Sequence, residues 1–175
     1  MPVEDELGWW SPRRRGVLGL SALRVSRSLR RSTARYRVTV DTAFADVVAG
    51  CADPGRDGGW IDGSLAAAYR RLHELGWAHS VETWRDDVLV GGLYGVAIGG
   101  LFAGESMFSR STDASKVALV HLVGLLSDEY AERRLVDTQW LTPHLASLGV
   151  AEIDRADYLG RLPETLAVPL PQPWA

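Results

Sequence analysis

Cysteine is nearly absent from this chain of 175 residues, where Cys51 stands alone. One thiol excludes an internal disulfide and a cysteine-rich zinc site. Long apolar runs are missing as well. None approaches the roughly 20 residues that a bilayer-crossing helix needs, so no membrane partner is expected. No apolar leader core follows Met1, and the default reading is a cytoplasmic protein. Acidic residues are missing from one stretch: between Arg13 and Arg37 there are nine arginines and no Asp or Glu. The net charge of −3 conceals that asymmetry.

What is present is an ordinary globular composition. With 46% apolar residues the chain has enough to bury a core, which excludes disorder over most of its length. The layout read from it is a loose acidic segment over residues 1–8, one domain over 9–162 and an irregular proline-rich tail over 163–175. No internal repeat is visible, and a monomer is expected.

Periodicity and turn residues order the elements. A first strand falls at 17–20, a short basic helix after it, a strand at 36–40 and a helix at 42–52. Residues 53–59 form a loop. Asp62 caps a helix to Leu75, with Leu65, Tyr69, Leu72 and Leu75 as its apolar stripe and Gly76 at its end. Strands at 79–85 and 88–97 make a hairpin around Asp86-Asp87, and 100–109 adds a third antiparallel strand. Asp113 caps a helix to about Tyr130 that is apolar nearly all round and therefore buried. A strand at 135–139, a short helix opened by Thr142-Pro143 and closed by Gly149, and a last helix capped by Asp154 complete the order.

This is an α/β (α+β) pattern with a mixed, mostly antiparallel sheet flanked by helices. It suits the sheet of an N-acetyltransferase-like fold. That fold binds acetyl-CoA pyrophosphate in a glycine-rich turn, and the corresponding turn here, Ser109-Arg110-Ser111-Thr112-Asp113-Ala114-Ser115, has no glycine. Close backbone approach to phosphate relies on glycine, so CoA is not expected as a cofactor.

Two polar features stand out against apolar strands. Glu105 lies within Phe102-Ala103-Gly104-Glu105-Ser106-Met107-Phe108. Asp137 and Gln139 sit two apart on a strand, which places them on one face. An unpaired buried charge costs several kcal/mol (order of magnitude), so these groups are either paired or used. Two readings stand for each. Asp137 and Gln139 cap neighbouring backbone or serve chemistry; Glu105 pairs with an arginine or binds a ligand. The arginines Arg24, Arg27, Arg30 and Arg31 recur at helical spacing, as a solvated face or as a phosphate-binding patch. The four histidines lack metal spacing and read as structural, and no metal site is expected. Ser106 lacks the motif of a nucleophile elbow, which argues against a covalent serine mechanism.

The chain strongly resembles the leucyl/phenylalanyl-tRNA–protein transferase family. The matching motifs are Trp9-Trp10-Ser11-Pro12, Ser26-Arg27-Ser28, Tyr36-Arg37-Val38-Thr39, the run from Tyr69 to Trp84, Leu89 to Val96, Phe102 to Ser109, Ala114-Ser115-Lys116, Asp137-x-Gln139 and His144 to Gly149. They follow one another over residues 9–160. The family has a smaller domain before the Trp-Trp-Ser-Pro motif, so the resemblance marks this chain as a short member lacking it. The resemblance implies an aminoacyltransferase that moves Leu or Phe from aminoacyl-tRNA to a protein or peptide with N-terminal Arg or Lys, marking the product for degradation, with neither CoA nor metal. It implies Gln139 accepting a hydrogen bond from the attacking amine, Asp137 orienting that amide, and Glu105 positioning donor or acceptor. It further implies an apolar pocket from Leu93, Phe102 and Met107 with Ser106 beside it. Trp84 is expected either to stack on the terminal adenine or to belong to the core, and Arg27 and Arg31 to meet tRNA with Arg24 and Arg30. Two rivals remain at this point: transfer to a small-molecule amine, and a non-catalytic module that binds tRNA ends or N-degrons.

Overall fold

The computed structural model describes residues 2, 3, 6, 7, 10–55, 59–172, 174 and 175, the first four by backbone alone. Trp9 and much of the expected loose segment 1–8 lie outside the described residues, as do Arg56, Asp57 and Gly58 of the expected loop. Strands β1 (Pro2–Val3) and β2 (Glu6–Leu7) pair with each other. The main sheet has seven strands: β3 (Arg14–Leu18), β4 (Arg37–Val40), β5 (Ala78–Arg85), β6 (Val88–Ile98), β7 (Leu101–Ser109), β8 (Leu135–Gln139) and β9 (Ala151–Asp154). Their order is β4-β5-β6-β7-β8-β3-β9. Every pairing is antiparallel except β7 with β8. This is the mixed, mostly antiparallel sheet that the sequence predicts.

Helices α1 (Arg27–Thr33), α2 (Phe44–Cys51), α3 (Gly63–Glu74), α4 (Ala114–Leu126), α5 (Pro143–Ser147) and α6 (Arg155–Leu166) flank it. None of the described helices is long and apolar enough to cross a membrane. The apolar helix α4 packs on β5, β6 and β7 and, with Leu18, Leu93, Phe102 and Val136, forms the larger core cluster. Phe44, Val47 and Val48 of α2, with Tyr94 and Phe108 of the sheet, form a second cluster that α3 covers.

Local signals account for most boundaries. The Asp62 carboxylate accepts from Leu65 N at 2.8 Å and the Thr142 hydroxyl from Leu145 N at 3.2 Å, so both caps form as read. Asp86 and Asp87 both adopt positive φ, at 49° and 61°, which the two-residue hairpin turn demands. Asp113 behaves differently. It sits at the N-cap with φ 62° but makes no capping bond; its carboxylate instead accepts from Ser32 Oγ at 2.9 Å and from Lys116 Nζ at 3.0 Å. Helix α4 stops at Leu126 rather than near Tyr130, because the Ser127 backbone leaves the helical region (ψ 62°). Strand β9 is an addition: four largely exposed residues with no apolar alternation to announce them. Helix α6 runs through Pro163 to Leu166, beyond the expected start of the irregular tail, and the Trp174 ring stacks on His79 at 4.4 Å.

Candidate active site

The site starts where β7 and β8 separate. They pair in parallel over only three positions, Leu101–Ala103 against Leu135–Asp137. Beyond that each strand carries an irregularity. On β7 the partners of Tyr94 and Gly95 are Ser106 and Gly104, so Glu105 is an extra residue without a partner on β6. On β8 the partners of Val17 and Gly16 are Asp137 and Gln139, so Thr138 is extra. A bulge bends its strand and re-aims the side chains around it. Gln139 closes β8 in the left-handed region, with φ 56°. Gly16 makes that exit possible: a Cβ on it would stand 2.7 Å from the Trp140 carbonyl carbon and oxygen.

The gap between the strands is a cavity of about 300 Å³. Leu93, Phe102, Met107, Leu119, Leu122 and Leu145 supply its apolar walls, and Glu105, Ser106, Thr138, Gln139, Thr142 and His144 its polar ones. The Glu105 carboxylate accepts a hydrogen bond from the Tyr69 hydroxyl at 2.8 Å, so its partner is a phenol and not an arginine. Burial pushes the Glu105 carboxyl above its ordinary range; the Tyr69 bond works against this, the charge of Asp137 adds to it, and Arg15 opposes it. Burial, then the charge of Glu105, raise the Tyr69 hydroxyl, which keeps its proton.

Asp137 is not part of the cavity wall, and this corrects the expectation of a face shared with Gln139. Period two holds only in a regular strand, and the bulge at Thr138 with the left-handed Gln139 breaks it. The Asp137 carboxylate has no exposed surface. It accepts from Arg15 Nε at 3.0 Å and Nη2 at 2.6 Å, from the Tyr158 hydroxyl at 2.7 Å and from the Gln139 backbone N at 2.8 Å. Desolvation disfavours the Arg15 charge, but Asp137 overcomes it and holds the guanidinium above its usual value. The same guanidinium lies over the Tyr158 ring at 4.9 Å. Asp137 thus reaches the cavity through the Gln139 backbone, as a clamp on the residue that does line it. No hydrogen-bond partner for the Gln139 carboxamide is found among the described residues.

The structure therefore brings Glu105, Gln139, Leu93, Phe102, Met107 and Ser106 together and sets Asp137 just behind them. It does not bring Trp84 to the cavity. That ring lies near the far edge of the sheet, where its Nε1 donates to Thr39 at 2.7 Å and Arg37 covers it at 5.1 Å. Arg24, Arg27, Arg30 and Arg31 are exposed, with no ion-pair partner among the described residues. In the sequence Arg15 and Tyr158 carry no assigned role, and His144 reads as structural. Arg15 is hidden by two neighbouring arginines, and Tyr69 reads as part of an apolar stripe.

The family model for leucyl/phenylalanyl-tRNA protein transferase matches residues 17–163, which includes every strand bordering the cavity apart from the first three residues of β3. The chain belongs to the leucyl/phenylalanyl-tRNA–protein transferase family. Proteins of that name are 52% identical to it over 168 residues in Ruegeria sp. (strain TM1040) and over 175 residues in Thiobacillus denitrificans, and 50% identical over 177 residues in Escherichia coli O1:K1. These matches cover 95%, 97% and 94% of the chain and 78%, 76% and 74% of the respective relatives. A solved GCN5-related N-acetyltransferase from Kribbella flavida aligns with a TM-score of 0.47 at 14% identity, over 81% of this chain and 54% of that one. As a member of the transferase family, the protein is an enzyme of the aminoacyltransferase kind.

Proposed function

We propose that this enzyme moves Leu or Phe from the 3′ end of aminoacyl-tRNA to the α-amine of a protein or peptide that begins with Arg or Lys. The observation that carries the reading is the cavity itself: an apolar chamber of about 300 Å³ with Glu105 and Gln139 in its wall, in a member of this transferase family. The Leu or Phe side chain occupies the walls formed by Leu93, Phe102 and Met107. Such walls distinguish apolar side chains weakly, by about 1–3 kcal/mol per methylene, which accords with a donor that is either of two residues.

An aminoacyl ester is already activated, and its conversion to an amide runs downhill. The enzyme chiefly has to hold an amine nitrogen against the ester carbon, and such positioning is worth up to about 7–11 kcal/mol in well-oriented systems. The Gln139 carboxamide accepts a hydrogen bond from that nitrogen. Glu105 orients the acceptor amine, and Asp137 fixes Gln139 from behind. Arg24, Arg27, Arg30 and Arg31 neutralise tRNA phosphates. The step uses neither CoA nor a metal, and the protein works as a monomer.

The test mixes purified protein with labelled Leu-tRNA or Phe-tRNA and a peptide beginning with Arg, in EDTA, beside a small amine and a peptide beginning with Ser. Transfer to the Arg peptide alone is expected, falling at least tenfold in Gln139→Ala. Transfer only to the small amine, or binding without turnover, would reject the acceptor assignment.

A further inference from the structure

Forming the amide moves one proton from the attacking nitrogen to the ribose oxygen that leaves. Asp137 has no exposed surface and is fully engaged by Arg15, Tyr158 and the Gln139 backbone. Gln139 does not titrate. Tyr69 keeps its proton and donates a hydrogen bond to Glu105. The titratable side chains of the wall are Tyr94, Glu105 and His144. Burial raises the Tyr94 hydroxyl, which keeps its proton, and Glu105 is engaged by Tyr69. The imidazole of His144, in the first turn of α5, makes no hydrogen bond to a described residue.

His144 lines two spaces at once. One is the acyl cavity; the other is an adjoining polar groove of about 450 Å³ walled by Ser109, Arg110, Ser111, Asp113, Ser115 and Lys116. The residue therefore stands at the passage between an apolar chamber suited to an amino-acid side chain and a hydroxyl-rich, partly cationic groove suited to a sugar–phosphate chain. A donor ester spanning both spaces has its scissile carbon–oxygen bond at that junction. The imidazole makes no hydrogen bond to any described residue, so both ring nitrogens are open to substrate.

Resting on the transferase reading above, we propose that His144 is a catalytic residue that carries the proton from the acceptor amine to the leaving ribose oxygen. The acceptor nitrogen, already neutral, attacks the ester carbon. As the carbon–nitrogen bond forms, the nitrogen gives one proton to the imidazole. As the carbon–oxygen bond breaks, the imidazolium returns that proton to the ribose oxygen, which leaves as a hydroxyl. Atoms and charge balance, and the imidazole ends neutral as it began. The charged groups around it are Lys116 of α4, Asp113 at the start of that helix, Arg110 from the turn before it and Glu105 across the cavity. Burial, then Lys116, hold the imidazole below its ordinary value, with Asp113 opposing, so the neutral form that must act first predominates at pH 7.

The experiment measures single-turnover transfer across pH 5.5 to 8.5 for the wild type, His144→Gln and His144→Gly, with a parallel NMR titration of the imidazole. A positioned general acid–base group contributes about 10²–10⁴-fold. A loss in that range is expected for His144→Gln, in kcat more than in KM, together with partial rescue of His144→Gly by added imidazole. A glutamine variant within threefold of wild type, or a loss that free imidazole does not relieve, would overturn the proposal. The NMR arm does not depend on turnover. Adding an adenosine whose 3′ position carries Phe through an amide should move the His144 resonance, and binding of that analogue with the resonance unmoved would also overturn it. Absence of transfer by the wild type would count against the acceptor assignment, and the NMR arm would still decide the role of His144.

Discussion

Replacing Arg15 by Met removes the cation that pairs with a carboxylate of no exposed surface. Asp137 then keeps two donors, the Tyr158 hydroxyl and the Gln139 amide, and loses both guanidinium contacts. Breaking a buried pair from one side costs about 3–5 kcal/mol. The two remaining hydrogen bonds and the slight exposure of Arg15 put this case at the lower end, about 3 kcal/mol. That is a large part of the roughly 5–15 kcal/mol that holds a domain together. At about 2–4 °C per kcal/mol for a chain of this size, the melting temperature should fall by about 6–12 °C. Urea unfolding followed by tryptophan fluorescence reads the same quantity. The decisive companion is Arg15→Met with Asp137→Leu. Replacing both charges by apolar groups is often neutral or stabilising, so stability should return toward wild type. Activity should not return, because Gln139 has lost the carboxylate that holds its backbone N–H. A loss below 1 kcal/mol in the single variant, or an active double variant, would refute the clamp.

Three further outcomes follow from the same geometry. Gly16→Ala drives a methyl into the Trp140 backbone at 2.7 Å; destabilisation of about 1–3 kcal/mol and an activity loss above tenfold are expected, read by urea melts and transfer assays. Glu105→Gln should stabilise the protein at pH 7–8 while lowering activity. Burial raises the folded-state carboxyl, so its favourable contribution is complete below the unfolded value of about 4.3 and is lost as pH rises through the folded value; melts at pH 8 and pH 3 should show a gain for Gln only at pH 8. Arg27→Ala with Arg31→Ala should reduce the slope of log K against log salt for tRNA by about two, since each phosphate contact contributes about one, as measured by filter binding between 50 and 200 mM salt (about the range over which such slopes are read).

The hairpin, the buried α4 and the sheet class are legible in the sequence because each rests on a local rule. Asp86-Asp87 marks a turn, a run of helical length that is apolar nearly all round marks a covered helix, and Asp62 and Thr142 carry their own capping oxygens. Glu105 and Gln139 are legible for a related reason, since a polar residue in an apolar strand asks for an explanation. What the sequence hides is non-local. The bulges at Glu105 and Thr138 arise from how β7 registers with β6 and β8 with β3, and no residue in either announces them. Arg15 is chemically identical to Arg13 and Arg14; only the pairing of β3 with β8 shows which of them turns toward Asp137. Trp84 reads by type as a stacking platform or as core, and its place on β5, across β6 from β7, keeps it from the cavity.

The two bulges also explain how a charged clamp and an apolar chamber coexist within one pair of strands. In a regular β8, Asp137 and Gln139 would face the same way, and a carboxylate would stand in the wall beside Leu122 and Leu145, away from its contacts with Arg15 and Tyr158. The extra residue at Thr138 separates them. Asp137 turns to Arg15 and Tyr158, where two donors offset its desolvation, and Gln139 is left at the cavity with no partner for its carboxamide among the described residues. The extra residue at Glu105 does the converse on β7, admitting a single carboxylate to the cavity wall under the restraint of Tyr69. The site thus carries one carboxylate in the cavity wall and a second that reaches it only through a backbone N–H. Substitutions at Asp137 should then behave as losses of geometry, rescued in part by Asn, which keeps an acceptor for the Gln139 amide, and not at all by Ala. An equal loss in Asn and Ala variants, with Tyr158 and Arg15 intact, would return Asp137 to a direct role as a charged group.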